Sequence, residues 1–228
     1  MKSKIKQKNV IITGATGMVG GLALRMCLDN PDVSGVTAVG RSRVGIDDPK
    51  LQEAIVDEFN DYTTVMDVFE GQDAALFCLG VYTGAVPDDL FRKITVDYTV
   101  AFAKALYQAS FRAAFCLLSG QGADQTGKSR MAFARYKGEA ETALLEIGFP
   151  RVHLFRPGYI FPVTPRKEPN FMYRISRTLY PVLRRVYPNI GVTSEKLARV
   201  MVHTGLYGSG NHESPVLENK TIRCMEGR

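Results

Sequence analysis

The run Val10-Ile11-Ile12-Thr13, followed at once by Gly14-Ala15-Thr16-Gly17-Met18-Val19-Gly20, constrains this chain more than any other stretch. A short β-branched run that stops at glycine reads as a buried parallel strand. Glycines at three-residue intervals then allow a tight turn, close approach of the backbone to a pyrophosphate, and close packing of the next helix on the strand. The amides at that helix's start, together with its dipole, favour an anion. Glycine spacing alone is a weak signal. A strand before it and a helix after it supply the context that a dinucleotide-binding turn needs.

The rest of the chain repeats the alternation. The helix after the loop places Leu22, Met26 and Leu28 on or near one face and is stopped by Asn30-Pro31. Further strands are predicted over 36–40, 54–56, 74–79, 113–118 and 152–155, with helices over 96–109 and 131–147. Strands and helices alternating at these lengths imply parallel βαβ units with helices on both faces. We therefore expect an α/β protein with a Rossmann-type, doubly wound parallel sheet, and one domain over 1–228, a length that can bury a single core. After Arg156 the pattern shifts to Pro-rich loops and one or two helices. Residues 157–228 are expected as a small lid or substrate appendage over the crevice.

The end of the second predicted strand, Gly40-Arg41-Ser42-Arg43, selects among cofactors. A carboxylate there would accept from a ribose 2′-hydroxyl, whereas arginine accommodates a 2′-phosphate. Two arginines and no carboxylate favour NADP(H) over NAD(H).

Other function classes find little support. The net charge is +6. It concentrates in Lys2, Lys4, Lys6 and Lys8 and in the 166–185 segment, with Arg166, Lys167, Arg174, Arg177, Arg184 and Arg185. Within that segment Phe171, Ile175, Leu179 and Val182 recur at helical spacing, which reads as a lid helix with a solvated basic face, the alternative being an interfacial helix on an anionic membrane surface. Charge alone is the whole case for nucleic acid, so no nucleic-acid partner is expected. No apolar run reaches the length of a transmembrane helix. The lysine-rich N-terminus has no apolar core of a secretory signal. Cys27, Cys78, Cys116 and Cys224 are scattered, without metal or redox spacing, so a reducing, cytoplasmic setting is expected. His153, His203 and His212 lack ligand-like spacing, and no metal site is expected.

Several strings fall in the order seen in atypical short-chain dehydrogenases/reductases: Thr13-Gly14-Ala15-Thr16-Gly17-Met18-Val19-Gly20, Gly40-Arg41, Cys78-Leu79-Gly80, Leu117-Leu118-Ser119, Lys137-Gly138-Glu139 and Phe155-Arg156-Pro157-Gly158. The chain resembles that superfamily over nearly its whole length. Leu117 to Asp124 and Val216-Leu217-Glu218-Asn219-Lys220 resemble, more narrowly, its oxidoreductase-like Tat-interacting protein branch. The resemblance implies that Thr16, Met18 and Val19 wrap the pyrophosphate with Gly14 and Gly17. It implies that Arg41, Ser42 and Arg43 face the adenosine phosphate, that Asp57 lies near adenine, and that Leu79 and Gly80 pass the nicotinamide ribose. Ser119 matches the serine that binds a substrate carbonyl. Lys137 matches the lysine that holds the ribose hydroxyls and lowers the pKa of a catalytic tyrosine. Pro157, Gly158, Tyr159 and Ile160 would flank the nicotinamide. The implied activity is reduction of a small carbonyl or enone compound whose identity the sequence leaves unknown.

The chain departs from this pattern at one position. The family's tyrosine stands four residues before the lysine, one turn away on the same helix face, and here that residue is Phe133. Phenylalanine has no proton to transfer, and loss of a general acid typically removes about 10²–10⁴ in rate. A tyrosine restored at 133 is expected to meet Lys137 and to raise turnover. Tyr136, Tyr82 and Tyr159 are the substitutes within the chain, and Tyr159 joins Ser119 and Lys137 as the candidate catalytic set. The alternative is an NADP(H)-sensing interaction module that catalyses little and works through a protein partner.

Overall fold

The computed structural model describes residues 7–163 and 188–225. Lys2, Lys4, Lys6 and the expected lid helix over 166–185 lie outside the described residues.

The fold is a layered α/β sandwich around a seven-stranded sheet. Its strands are β1 (Lys8–Thr13), β2 (Val33–Gly40), β3 (Leu51–Ile55), β4 (Ala74–Phe77), β5 (Ala114–Leu118), β6 (Arg151–Arg156) and β9 (Val216–Glu218). They run in the order β3-β2-β1-β4-β5-β6-β9, with every pairing parallel. The chain reverses its direction of winding between β1 and β4, and in sheets of this kind the crevice outside the strands' carboxyl ends at that point takes ligands. A separate parallel pair joins β7 (Tyr159–Phe161) to β8 (Gly191–Thr193).

Successive side chains on a strand face opposite layers, so each strand supplies both cores. Val10, Ile12, Leu76 and Cys116 meet Ala23, Leu24 and Cys27 of α1 (Gly20–Leu28) and Leu197, Ala198 and Met201 of α5 (Ser194–Tyr207). On the other face Ile11, Phe77, Phe115 and Leu154 meet α3 (Tyr98–Ser110) and α4 (Ala132–Ile147) through Phe102, Leu106 and Leu144. Phe102 is the hub of an aromatic cluster there, edge-on to Phe69 at 5.1 Å and to Phe77 at 5.4 Å between ring centroids.

The structure refines several sequence expectations. The buried stripe of α1 is Ala23, Leu24, Cys27 and Leu28, with Leu22 and Met26 half-buried, because the helix is wedged between the sheet and α5 and small residues allow the approach. The helix expected to start near residue 96 starts earlier, as α2 (Asp88–Arg92), and runs through a π-helical turn (Lys93–Asp97) into α3. Within the stretch expected as an appendage, α5 and β9 belong to the core. Leu197, Ala198, Met201 and Leu217 are all at 0% exposure, and β9 extends the main sheet beyond β6. Thr193 caps α5, accepting from the Lys196 amide at 3.2 Å.

Candidate functional site

The carboxyl ends of four strands converge on one cleft. Beyond β1 lies the glycine turn, beyond β4 Cys78-Leu79-Gly80, beyond β5 Ser119-Gly120, and beyond β6 Pro157-Gly158. All four line a cavity of about 340 Å³, together with Met18, Val19, Tyr82, Phe133, Lys137, Tyr159 and Ile160. Leu79 also borders a smaller hollow of about 110 Å³, walled by Gly14, Thr16, Gly40, Arg41, Ser42 and Phe59. The glycine turn lies between the two hollows, so they form a groove across the sheet's switch point.

Gly14 explains why the turn can be this tight. Its φ is +70°, a conformation that side chains rarely adopt, and a β-carbon there would stand 2.6 Å from the Cys78 carbonyl oxygen. The Gly17 amide donates to the Gly14 carbonyl at 2.8 Å, and no side chain caps the start of α1. The turn is a backbone cradle that a β-carbon would fill, at a helix N-terminus whose dipole favours an anion.

Arg41 and Ser42 line the smaller hollow. Arg43 does not. It lines a different depression with Asp47, Asp48 and Glu53. Asp57 is exposed and lines neither hollow; Phe59, two residues on, takes the adenine-side wall. The chain turns outward after Val56 and inward again at Phe59, and both of those are buried. Glu58 approaches Arg41 but is already engaged. It accepts from Lys93 at 2.7 Å and from the Tyr98 hydroxyl at 2.8 Å, and these bonds hold its carboxyl below the usual range.

The floor of the larger cavity rests on a buried charge network that the sequence did not disclose. Glu141, one turn after Lys137 on α4, is fully buried. Its carboxylate pairs with the Arg156 guanidinium of β6, accepts from Gln125 at 2.9 Å, and accepts the Ser119 hydroxyl at 2.5 Å. Arg156 reaches on to Glu218 of β9 at 3.2 Å. Beside it Asn219 accepts from the Gly158 amide at 2.9 Å and donates to the Asn189 carbonyl at 2.9 Å, fixing the loop after β6. Ser119 thus spends its only proton on Glu141, and its oxygen can offer the cleft only lone pairs.

Lys137 is half-buried at the cavity wall, and its ammonium donates to the Leu118 carbonyl at 3.1 Å. Desolvation lowers its pKa to about 8, against an opposing attraction from Glu141. Burial has the reverse effect on the Cys78 thiol, pushing it up to about 12.

Phe133 lines the same cavity, with the tip of its ring against Gly120. A β-carbon built on Gly120 would stand 2.6 Å from Phe133 Cζ and 3.5 Å from both Cε1 and Cε2. Those three distances place the point on the ring's para axis. A phenol oxygen one bond beyond Cζ would therefore press into the Gly120 backbone, which corrects the expectation that a tyrosine at 133 would be accommodated in place. Of the other tyrosines, Tyr136 donates to Asp88 at 2.6 Å outside the cavity, so it is not a substitute. Tyr82 and Tyr159 line the cavity, and the Tyr159 hydroxyl is buried.

No protein-family model matches the chain. Among curated proteins, it is 29% identical over 223 residues to the protein HTATIP2 of Rattus norvegicus, covering 96% of this chain and 89% of that one. It is 25% identical over 224 residues to the mitochondrial protein FMP52 of Saccharomyces cerevisiae, covering 94% of each. A short-chain dehydrogenase of Burkholderia cenocepacia, solved in complex with NADP, superposes with a TM-score of 0.66 at 14% identity, over 94% of this chain and 88% of that one. A short-chain dehydrogenase family protein of Francisella tularensis superposes at 0.64 and 14% identity, over 95% and 99%.

The chain has the fold of short-chain dehydrogenases and is similar in sequence to HTATIP2 and FMP52.

The glycine turn and Lys137 both face the cleft, and Phe133 stands one helical turn before Lys137. The Bordetella bronchiseptica enzyme WbmG, solved in complex with NAD, shares the fold with a TM-score of 0.59 at 14% identity, over 82% of this chain and 62% of that one. Among the described residues no cluster of three potential metal ligands occurs, and no helix is long and apolar enough to cross a membrane.

Proposed function

We propose that this protein binds a nicotinamide dinucleotide along the groove, NADP(H) in preference to NAD(H), and acts as an oxidoreductase on a small carbonyl or enone compound. The observation that carries this reading is the continuity of the groove, from the Arg41–Ser42 hollow across the Gly14–Val19 cradle to the Lys137 cavity. Thr16, Met18 and Val19 hold the pyrophosphate, Leu79 and Gly80 pass the nicotinamide ribose, and Pro157, Gly158, Tyr159 and Ile160 flank the ring. The fold relatives solved with NADP and with NAD support a dinucleotide without choosing between them. Arg41 supports the choice, because Lys93 already answers the nearby Glu58 and leaves the guanidinium to an incoming phosphate.

A charge-assisted hydrogen bond to the 2′-phosphate is worth about 1.5–3 kcal/mol, which corresponds to at least about tenfold in affinity. Titration calorimetry is expected to give tighter binding of NADPH than NADH, with Arg41→Asp abolishing or reversing the difference. Equal affinities in the unaltered protein would refute the preference.

A second reading follows from the floor of the cleft. With Phe133 in the tyrosine position and the Ser119 proton committed to Glu141, the protein would bind NADP(H), turn over little, and signal cofactor state to a protein partner. NADPH binding without NADPH consumption against a panel of carbonyl compounds distinguishes it. We further propose that residues 1–228 act as one unit in a reducing compartment. The fungal relatives are named as mitochondrial, so the cytoplasm is not singled out.

A further inference from the structure

Two positions in the cleft that would ordinarily donate to a carbonyl oxygen have no proton to give it. Phe133 carries no proton, and its para axis is closed by Gly120. Ser119 gives its proton to a fully buried carboxylate that Arg156 and Gln125 hold in place. Cys78, at the end of β4, is silenced by burial. Lys137 remains. Its ammonium has three donors, and one of them goes to the Leu118 carbonyl. The others are available to the cavity it lines.

We propose that Lys137 Nζ is the group that exchanges the proton with the substrate's oxygen, in place of a phenol. The inference rests on the oxidoreductase reading above and names its acid. A reduced nicotinamide, when bound, would supply the hydride, with its electron pair, that the carbonyl carbon takes up. As that C–H bond forms, the C=O π pair moves onto oxygen, which takes a proton from the Lys137 ammonium. The product is an alcohol, and its new hydroxyl can donate to the Ser119 oxygen. The neutral amine then regains a proton from water. Glu141 is a positioning residue here, since it keeps Ser119 an acceptor.

The electrostatics suit the role. Glu141 on the same helix favours the ammonium and is outweighed by desolvation, so the amine titrates at about 8. Among the described residues, Cys78, Tyr82 and Tyr159 share its cavity, and Arg156 of β6 pairs with Glu141. A general acid works best with a pKa near the operating pH.

Lys137→Arg separates proton transfer from simple hydrogen bonding, because arginine keeps the charge and the donors and does not deprotonate in this range. The experiment uses the whole chain, NADPH, and p-nitrobenzaldehyde as probe, over a pH series that brackets the Lys137 value of about 8. In the unaltered protein, turnover should be level on the acid side and fall about tenfold per unit above that value. Lys137→Arg should lose about 10²-fold or more in kcat at saturating NADPH and lose the alkaline limb. Independently of turnover, the Lys137 side-chain ammonium followed by ¹⁵N NMR in the unliganded chain should titrate near 8. Thermal melts establish that the variant is folded, and if it is not, the pH profile and the NMR titration of the unaltered chain carry the test. Full turnover in Lys137→Arg overturns the proposal. So does an alkaline limb that persists there and vanishes in Tyr82→Phe or Tyr159→Phe. NADPH binding without turnover of the probe overturns the proposal alone, whereas absence of NADPH binding overturns the cofactor reading and the proposal with it.

Discussion

Replacing Phe133 by tyrosine supplies the residue that the resemblance to short-chain dehydrogenases/reductases leads one to expect there, and it should damage this protein. The ring lies with Cζ 2.6 Å from the place a Gly120 β-carbon would occupy, on the line that a phenol C–O bond would follow. Gly120 is already the smallest residue, so no side chain can give way, and the oxygen must be absorbed by tilting the ring or shifting the loop after β5. That loop is anchored, since the Ser119 amide donates to the Phe155 carbonyl at 2.9 Å and the Gln121 amide to the Pro157 carbonyl at 2.9 Å. Overpacking of this kind costs about 1–3 kcal/mol. For a chain of this size that is a fall in Tm of about 2–12 °C. Urea denaturation and a thermal melt measure it, and NADPH turnover on p-nitrobenzaldehyde should not rise. A Phe133→Tyr protein that melts with the unaltered chain and turns over about 10²-fold faster would refute the reasoning. It would mean that the cavity accepts the ring in a new orientation and that the phenol had been the missing acid.

Glu141→Ala should destabilise by about 3–5 kcal/mol, because it leaves the Arg156 guanidinium, only 14% exposed, without its main partner; a change under about 1 kcal/mol in urea denaturation would contradict the network's role. His153 is buried beside Cys116 on the sheet, and desolvation, aided by Arg151, lowers its pKa from 6.5 to about 4. Its folded-state value is depressed, so the unfolded chain takes up the proton first, and the stability it contributes is intact above 6.5 and lost as pH falls toward about 4. His153→Leu should flatten the pH dependence of unfolding in that window, and an unchanged slope would show that the imidazole is solvated.

How far the sequence could be read depended on whether the signal was local. The β1–turn–α1 unit was legible because Gly14, Gly17 and Gly20 answer to backbone geometry within a few residues. The third residue of β9 is Glu218, and a three-residue strand has no periodicity to detect; its place beside β6 comes from pairing across some 60 residues, Leu154 with Val216 and Arg156 with Glu218. Arg41 and Arg43 look equivalent as a motif, yet only Arg41 lines the hollow. Lys137 and Ser119 were found through spacing and resemblance. Glu141 was not, since α4 also carries Glu139 and Glu146, and nothing in the string says which one turns inward. The closed para axis of Phe133 was equally out of reach, because it depends on an angle between α4 and the loop after β5.

The most direct test of the account is a crystal structure of the protein with NADP⁺ bound. It should show the 2′-phosphate at Arg41 and Ser42, the pyrophosphate on the Gly14–Val19 amides, and the nicotinamide in the cavity with the Lys137 amine, and no phenol at position 133, on its ribose side. A groove that stays empty at saturating NADP⁺, or a dinucleotide bound with its adenosine phosphate away from Arg41, would contradict it.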